Sequence, residues 1–141
     1  VGARTGRGLL SIWRAAFNNR RKKMDITLMT TKQREPHPTC ADRVHSNLKD
    51  REEQLRDGEL EGLCFDYVAP HSFTDQVEGY WRWQLSYGGP SDELRAFVNE
   101  NKEIHRLEYW FMDWYDGAHV VLDKKKNARM WNELCIMCEA S

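Results

Sequence analysis

The chain has 141 residues, enough for one domain whose core holds without disulfide or metal staples. Charged residues make up 30% and hydrophobic ones 40%, and no apolar run approaches the roughly eighteen residues of a membrane span. Val1 to Met24 carries seven basic residues and no acidic one, so the rest holds 14 basic against 22 acidic residues, a net of −8. Such a body repels free DNA or RNA, which argues against nucleic acid as a direct partner.

The opening "VGARTGRGLLSIWRAAFNNRRKKM" admits three readings. It could be a basic arm for nucleic acid or acidic lipid. It has the acid-free composition of an organelle transit peptide, though no apolar core follows as in a secretory signal. Or translation begins at Met24 and the leader is an artefact. The expectation is a disordered or artefactual leader and linker over residues 1–38. The linker ends in "EPHPT", where Pro36 and Pro38 break regular structure. One domain is expected over residues 39–141.

Thr39 is suited to cap a helix beginning near Cys40, and Ala41 to Asp57 are mostly good helix formers with Val44, Leu48 and Leu55 on one face. "LCFDYVA", Leu63 to Ala69, reads as a first strand closed by Pro70. In "GYWRWQLSYG" Trp81, Trp83, Leu85 and Tyr87 face one way, and Tyr80, Arg82, Gln84 and Ser86 the other. "GGPSD" supplies turn chemistry before a third strand, Glu93 to Glu100. A fourth strand follows from Glu103 to Tyr115. Asp116-Gly117 is a hairpin signal, and "AHVVLD" returns as a fifth strand. "KKKNARMWNELCIMCEA" closes the chain as a helix. The expected fold class is α+β: an antiparallel meander of four to five strands flanked by an N-terminal and a C-terminal helix.

The fourth strand carries bulk on both faces. Ile104, Trp110, Met112 and Trp114 alternate with Leu107, Tyr109, Phe111 and Tyr115. A strand buried on one side is expected to be polar on the other. Either the strand is covered twice, or one face meets a partner protein or a second copy of the chain. Trp81, Trp83, Trp110 and Trp114 are the candidate anchors, with Asp92 and Glu93 as acidic contributors. Spread carboxylates also suggest a surface that mimics the phosphate spacing of DNA and occupies a basic groove.

Asp113, Asp116 and His119 surround the fourth hairpin and are the weak candidates for a catalytic acid, base or metal set. Their spacing fits no metal motif, and a solvated hairpin in which Asp116 serves the turn is the simpler reading. No metal ligand set and no cofactor is expected. Cys135 and Cys138 form a C-x-x-C near a helix end, where the dipole disfavours a thiolate, and Cys40 and Cys64 supply no second pair. The four cysteines read as reduced thiols in a cytoplasmic protein. No nucleophile elbow or phosphate loop is present.

The block "EGYWRWQLSYGGPSDELR" followed by "IHRLEYWFMDWYDGA" resembles a set of small proteins carried by phages, plasmids and related bacterial elements. The resemblance covers Phe65 to about Leu122. It implies a bacterial or phage cytoplasmic setting and an accessory, host-interacting role, and transfers no catalytic residue. The expected function is therefore non-enzymatic protein binding by a mobile-element accessory protein, with DNA mimicry as one form of it. The alternative is a small metal-dependent hydrolase or nuclease using Asp113, Asp116 and His119.

Overall fold

The structure, a computed structural model, describes residues 38–141. The expectations for the basic leader lie outside the described residues. Helix α1 spans Cys40–Arg56. Five strands follow: β1 Cys64–Val68, β2 Tyr80–Ser86, β3 Ser91–Val98, β4 Ile104–Asp113 and β5 Asp116–Val121. Helix α2, Ala128–Glu139, ends the chain. The strands form one antiparallel sheet in sequence order, β1-β2-β3-β4-β5. The fold is therefore the α+β meander with terminal helices that the sequence predicts.

Helix α1 begins where Thr39 satisfies an otherwise orphan amide. The Asp42 N–H donates to Thr39 Oγ1 at 3.2 Å, and the Thr39 N–H donates back to Asp42 Oδ2 at 2.9 Å, completing a capping box. Cys40, Val44 and Leu48 are buried, and Leu55 packs at the margin. Helix α2 buries Met130, Trp131, Leu134 and Cys138. Its Trp131 indole N–H donates to the Leu122 carbonyl at 3.2 Å, so the large ring enters the core with its one donor satisfied. Among the described residues, no helix is long and apolar enough to cross a membrane.

Both helices cover the same side of the sheet. Their apolar residues join Trp83, Leu85, Leu94, Ala96, Leu107, Tyr109 and Phe111 in one core cluster. The register explains the grouping: Trp83 faces Leu94 and Leu94 faces Tyr109, so one side of the pleat is continuous across three strands. Among the described residues, no helix packs on the opposite side. It carries a small cluster of Val68, Tyr80 and Phe97 and, beside it, a row of charge.

Two irregularities correct the expected alternation. The register shifts between Gln84 and Ser86, which turns Ser86 toward the helices and pairs it with Asp92. A second shift between Phe97 and Val98 sets Ile104 opposite Val98, and both pack on the helix-side core. An extra residue inverts every later side chain in a strand, so Ile104 does not share a face with Trp110. The last hairpin also differs. Asp113 pairs with Asp116 and Met112 with Gly117, so Trp114 and Tyr115 make the turn and Asp116-Gly117 begins β5.

Candidate functional site

Three polar or aromatic groupings stand out. The first lies beneath α1. Asp92 is buried and accepts from Arg51 Nε at 2.7 Å, Arg51 Nη2 at 2.9 Å, the Ser86 hydroxyl at 2.5 Å and the Tyr109 hydroxyl at 2.6 Å. Burial alone would raise its pKa; the bonds from Arg51, Ser86 and Tyr109 outweigh it and hold the carboxyl below its ordinary value. Burial, followed by the bond to Asp92, pushes the Tyr109 phenol far up. This knot fastens α1 to β3 and β4. Asp92 is thus occupied within the fold.

The second grouping is the sheet end formed by the β2–β3 and β4–β5 turns. They share this end because β3 starts beside the end of β4, with Ser91 opposite Met112. Tyr87 is 82% exposed, Trp114 90% and Tyr115 fully so. Trp114 holds φ at 56°, an uncommon conformation for a bulky residue. The acids behind this turn are engaged. Asp113 pairs with Arg43 at 2.5 Å, and Asp116 accepts from the backbone N–H of Cys40 at 2.8 Å. The bond from the Cys40 N–H, outweighing the small effect of burial, keeps the Asp116 carboxyl below its ordinary value. Both acids therefore anchor the start of α1.

The third grouping is the uncovered sheet face. Register aligns Asp66, Arg82, Arg95 and Glu108 across β1 to β4, and Gln84, Glu93, Trp110 and His119 across β2 to β5. Arg82 grips Asp66 through two bonds of 3.0 and 2.7 Å. Arg95 Nε donates to Glu93 at 2.8 Å, Arg106 Nε to Glu108 at 3.0 Å and Arg106 Nη2 to Glu78 at 3.1 Å. Trp110 Nε1 donates to Glu108 at 2.9 Å, and its ring stacks on His119 at 4.5 Å between centroids. The carboxylates of this face do not stand as bare charges, because an arginine meets each of them. A cavity of about 510 Å³ opens here, floored by Tyr80, Arg95, Phe97, Arg106, Glu108 and Trp110 and walled by the β1–β2 loop over residues 73–78. The Tyr80 hydroxyl is buried without a hydrogen-bond partner. A second cavity of about 410 Å³ lies between α1 and the start of α2, among charged side chains of both signs.

The sequence-nominated residues are dispersed over these places. Trp83 is buried among the helix-side residues and Trp81 stacks on Phe65 at 5.2 Å on that same side. Trp110 and Glu93 lie on the uncovered face, and Trp114 on the exposed end. The four indoles do not compose one surface. Asp113 and Asp116 are not joined by His119, which faces Trp110. Among the described residues, no three His, Cys, Asp or Glu side chains are placed to hold a metal ion. The four thiols are free; Cys40 and Cys138 are buried, and burial pushes the Cys138 thiol up to about 11. Sequence reasoning missed Tyr87 and Tyr115 as exposed groups and Tyr80, Arg95 and Arg106 as cavity residues. Alternation did separate Tyr80 and Arg82 from Trp81 and Trp83, which was the available signal.

These features define a small α+β domain with one helix-covered sheet face, one uncovered face and an aromatic end. No protein-family model, curated protein or solved structure matches the chain.

Proposed function

We propose that the chain is a non-enzymatic binding protein that docks a protein partner through the aromatic end. The carrying observation is the set of Tyr87, Trp114 and Tyr115, all at least 82% exposed and gathered at one end of the sheet. Tyr and Trp carry large contact area on few rotatable bonds and are enriched among interface hot spots. Nothing in the core needs them, because the helix-side cluster closes without them. The partner is a protein offering an apolar cleft within a basic surface, since the chain beyond Met24 has 14 basic against 22 acidic residues. The resemblance to proteins of mobile elements supports a host factor as that partner and a bacterial cytoplasmic setting.

The metal-dependent alternative draws less support. Asp113 and Asp116 already answer Arg43 and the Cys40 amide, and His119 faces away from them. Adding Mg²⁺, Mn²⁺ or Zn²⁺ is expected to leave Tm unchanged, whereas a rise that disappears in Asp113→Asn/Asp116→Asn would favour the hydrolase.

The test compares the full chain with a Tyr87→Ser/Trp114→Ser/Tyr115→Ser variant in co-purification from bacterial lysate. The recovered protein is then purified and titrated at low and moderate salt. The expected result is a binary complex that weakens with salt and is lost in the variant, while the variant's thermal unfolding is preserved. Equal capture by the variant, or a wild-type homodimer that closes over this end, would overturn the proposal.

A further inference from the structure

We propose that the cavity on the uncovered sheet face binds a small zwitterion with an apolar body, of the kind presented by a free apolar amino acid. Three side chains at that cavity carry polar atoms that no described residue bonds, and together they specify such a ligand.

The first is Arg95. Its guanidinium carbon sits 3.9 Å from the centroid of Trp110 and 4.8 Å from that of Tyr80, so aromatic faces hold its plane. Its Nε is tied to Glu93, and no described residue accepts from its terminal amino groups. A guanidinium fixed in this way offers its end-on fork to a carboxylate. The second is Tyr80, 1% exposed, whose hydroxyl has no partner. Buried hydroxyls are nearly always bonded, so this orphan beside the cavity calls for a partner, and that bond is assigned to the ligand. Arg95 packs on the Tyr80 ring, so the two side chains border the same part of the cavity. The third is Asp75, on the loop that walls the cavity, whose carboxylate meets no described donor and is free to receive an ammonium.

The charge around the cavity selects among anions. Asp75, Glu78 and Glu108 line it against Arg95 and Arg106, so the lining carries no positive excess to hold a phosphate dianion. A neutral apolar ligand would leave Arg95 and Tyr80 unbonded in a desolvated place, which is costly. A zwitterion matches the Arg95 fork and the Asp75 carboxylate together. Phe73 and Val77, on the walling loop and 57% and 77% exposed, and the Trp110 ring provide apolar surface for its body. The cavity volume falls within the range of small-molecule sites. This surface is separate from the aromatic end, so the inference stands whether or not the docking proposal holds.

The test is calorimetric titration of the full chain with the apolar L-amino acids. L-phenylalanine is then compared with 3-phenylpropionate, which lacks the ammonium, with phenethylamine, which lacks the carboxylate, and with inorganic phosphate. At least one amino acid is expected to bind, each truncated analogue at least tenfold more weakly than its parent, and phosphate not to compete. Arg95→Gln should abolish binding. Tyr80→Phe should weaken it several-fold while raising the Tm of the unliganded chain, a combination that general damage to the fold does not give. The inference is overturned if no amino acid of the panel binds, if 3-phenylpropionate or phosphate binds as tightly, or if Tyr80→Phe binds unchanged.

Discussion

Asp92 is the residue on which most hydrogen bonds converge, and its behaviour can be worked out from its surroundings. Replacing it with alanine leaves the Arg51 guanidinium and the Tyr109 hydroxyl unanswered beneath a helix. Such half-removed buried pairs cost on the order of 3 kcal/mol. Urea unfolding of Asp92→Ala should register that loss, and combining it with Tyr109→Phe should cost less than the sum of the two single changes. The pH dependence follows from the same contacts. The Asp92 carboxyl is held below its ordinary 3.8 in the folded chain, so as pH falls the unfolded chain takes up the proton first. Its contribution is complete well above 3.8 and is lost as pH drops through that value toward the folded one. Thermal melts at stepped pH should show Tm falling over that acid window, and the fall should be shallower in Asp92→Asn. The thiols divide by the same physics. Cys64 is exposed, whereas burial raises the Cys40 and Cys138 thiols. Alkylation of the native chain should label Cys64 first and reach Cys40 and Cys138 only on unfolding.

At the scale of elements, the helices were more legible than the sheet. Thr39, Val44 and Leu48 act locally, through a cap and a 3.6-residue period, and a sequence displays both. Thr39→Ala should cost about 1 kcal/mol, measurable by denaturant midpoint. In β2 the period of two gave the correct faces from Tyr80 to Leu85. It failed at Ser86 and Ile104 because a bulge adds a residue that alternation cannot register. The turn was misplaced for a different reason. Asp116-Gly117 has turn chemistry, but the Asp116 carboxylate is used by the Cys40 amide, a contact between residues 76 apart in the chain. Loop-to-sheet contacts were equally hidden. A Cβ on Gly62 would stand 1.8 Å from the Trp83 indole nitrogen. Gly62→Ala must displace that ring, and a loss of about 2 kcal/mol is expected in the same denaturant assay.

For the molecule as a whole, asymmetry between the two sheet faces is the governing feature. Excess bulk in the strands was readable from composition, and the structure divides it: Trp83 and Tyr109 lie under helices, Trp110 on the uncovered face, and Trp114 at the end. Which indole goes where depended on pairing across strands, which no single strand encodes. The cavity was illegible for the same reason, since Tyr80, Arg95 and Arg106 come from three strands. Because the end aromatics touch little, Tyr87→Ser/Trp114→Ser/Tyr115→Ser should alter stability by no more than about 0.5 kcal/mol per site, measured by thermal melt. Trp114 is the instructive member of that set. Its left-handed backbone disfavours any side chain with a Cβ by ~1 kcal/mol, and Trp114→Gly would relieve it. Laboratory evolution for heat tolerance alone should therefore discard this indole early, and under the proposed docking role the hardier descendants should be the ones that lose their partner.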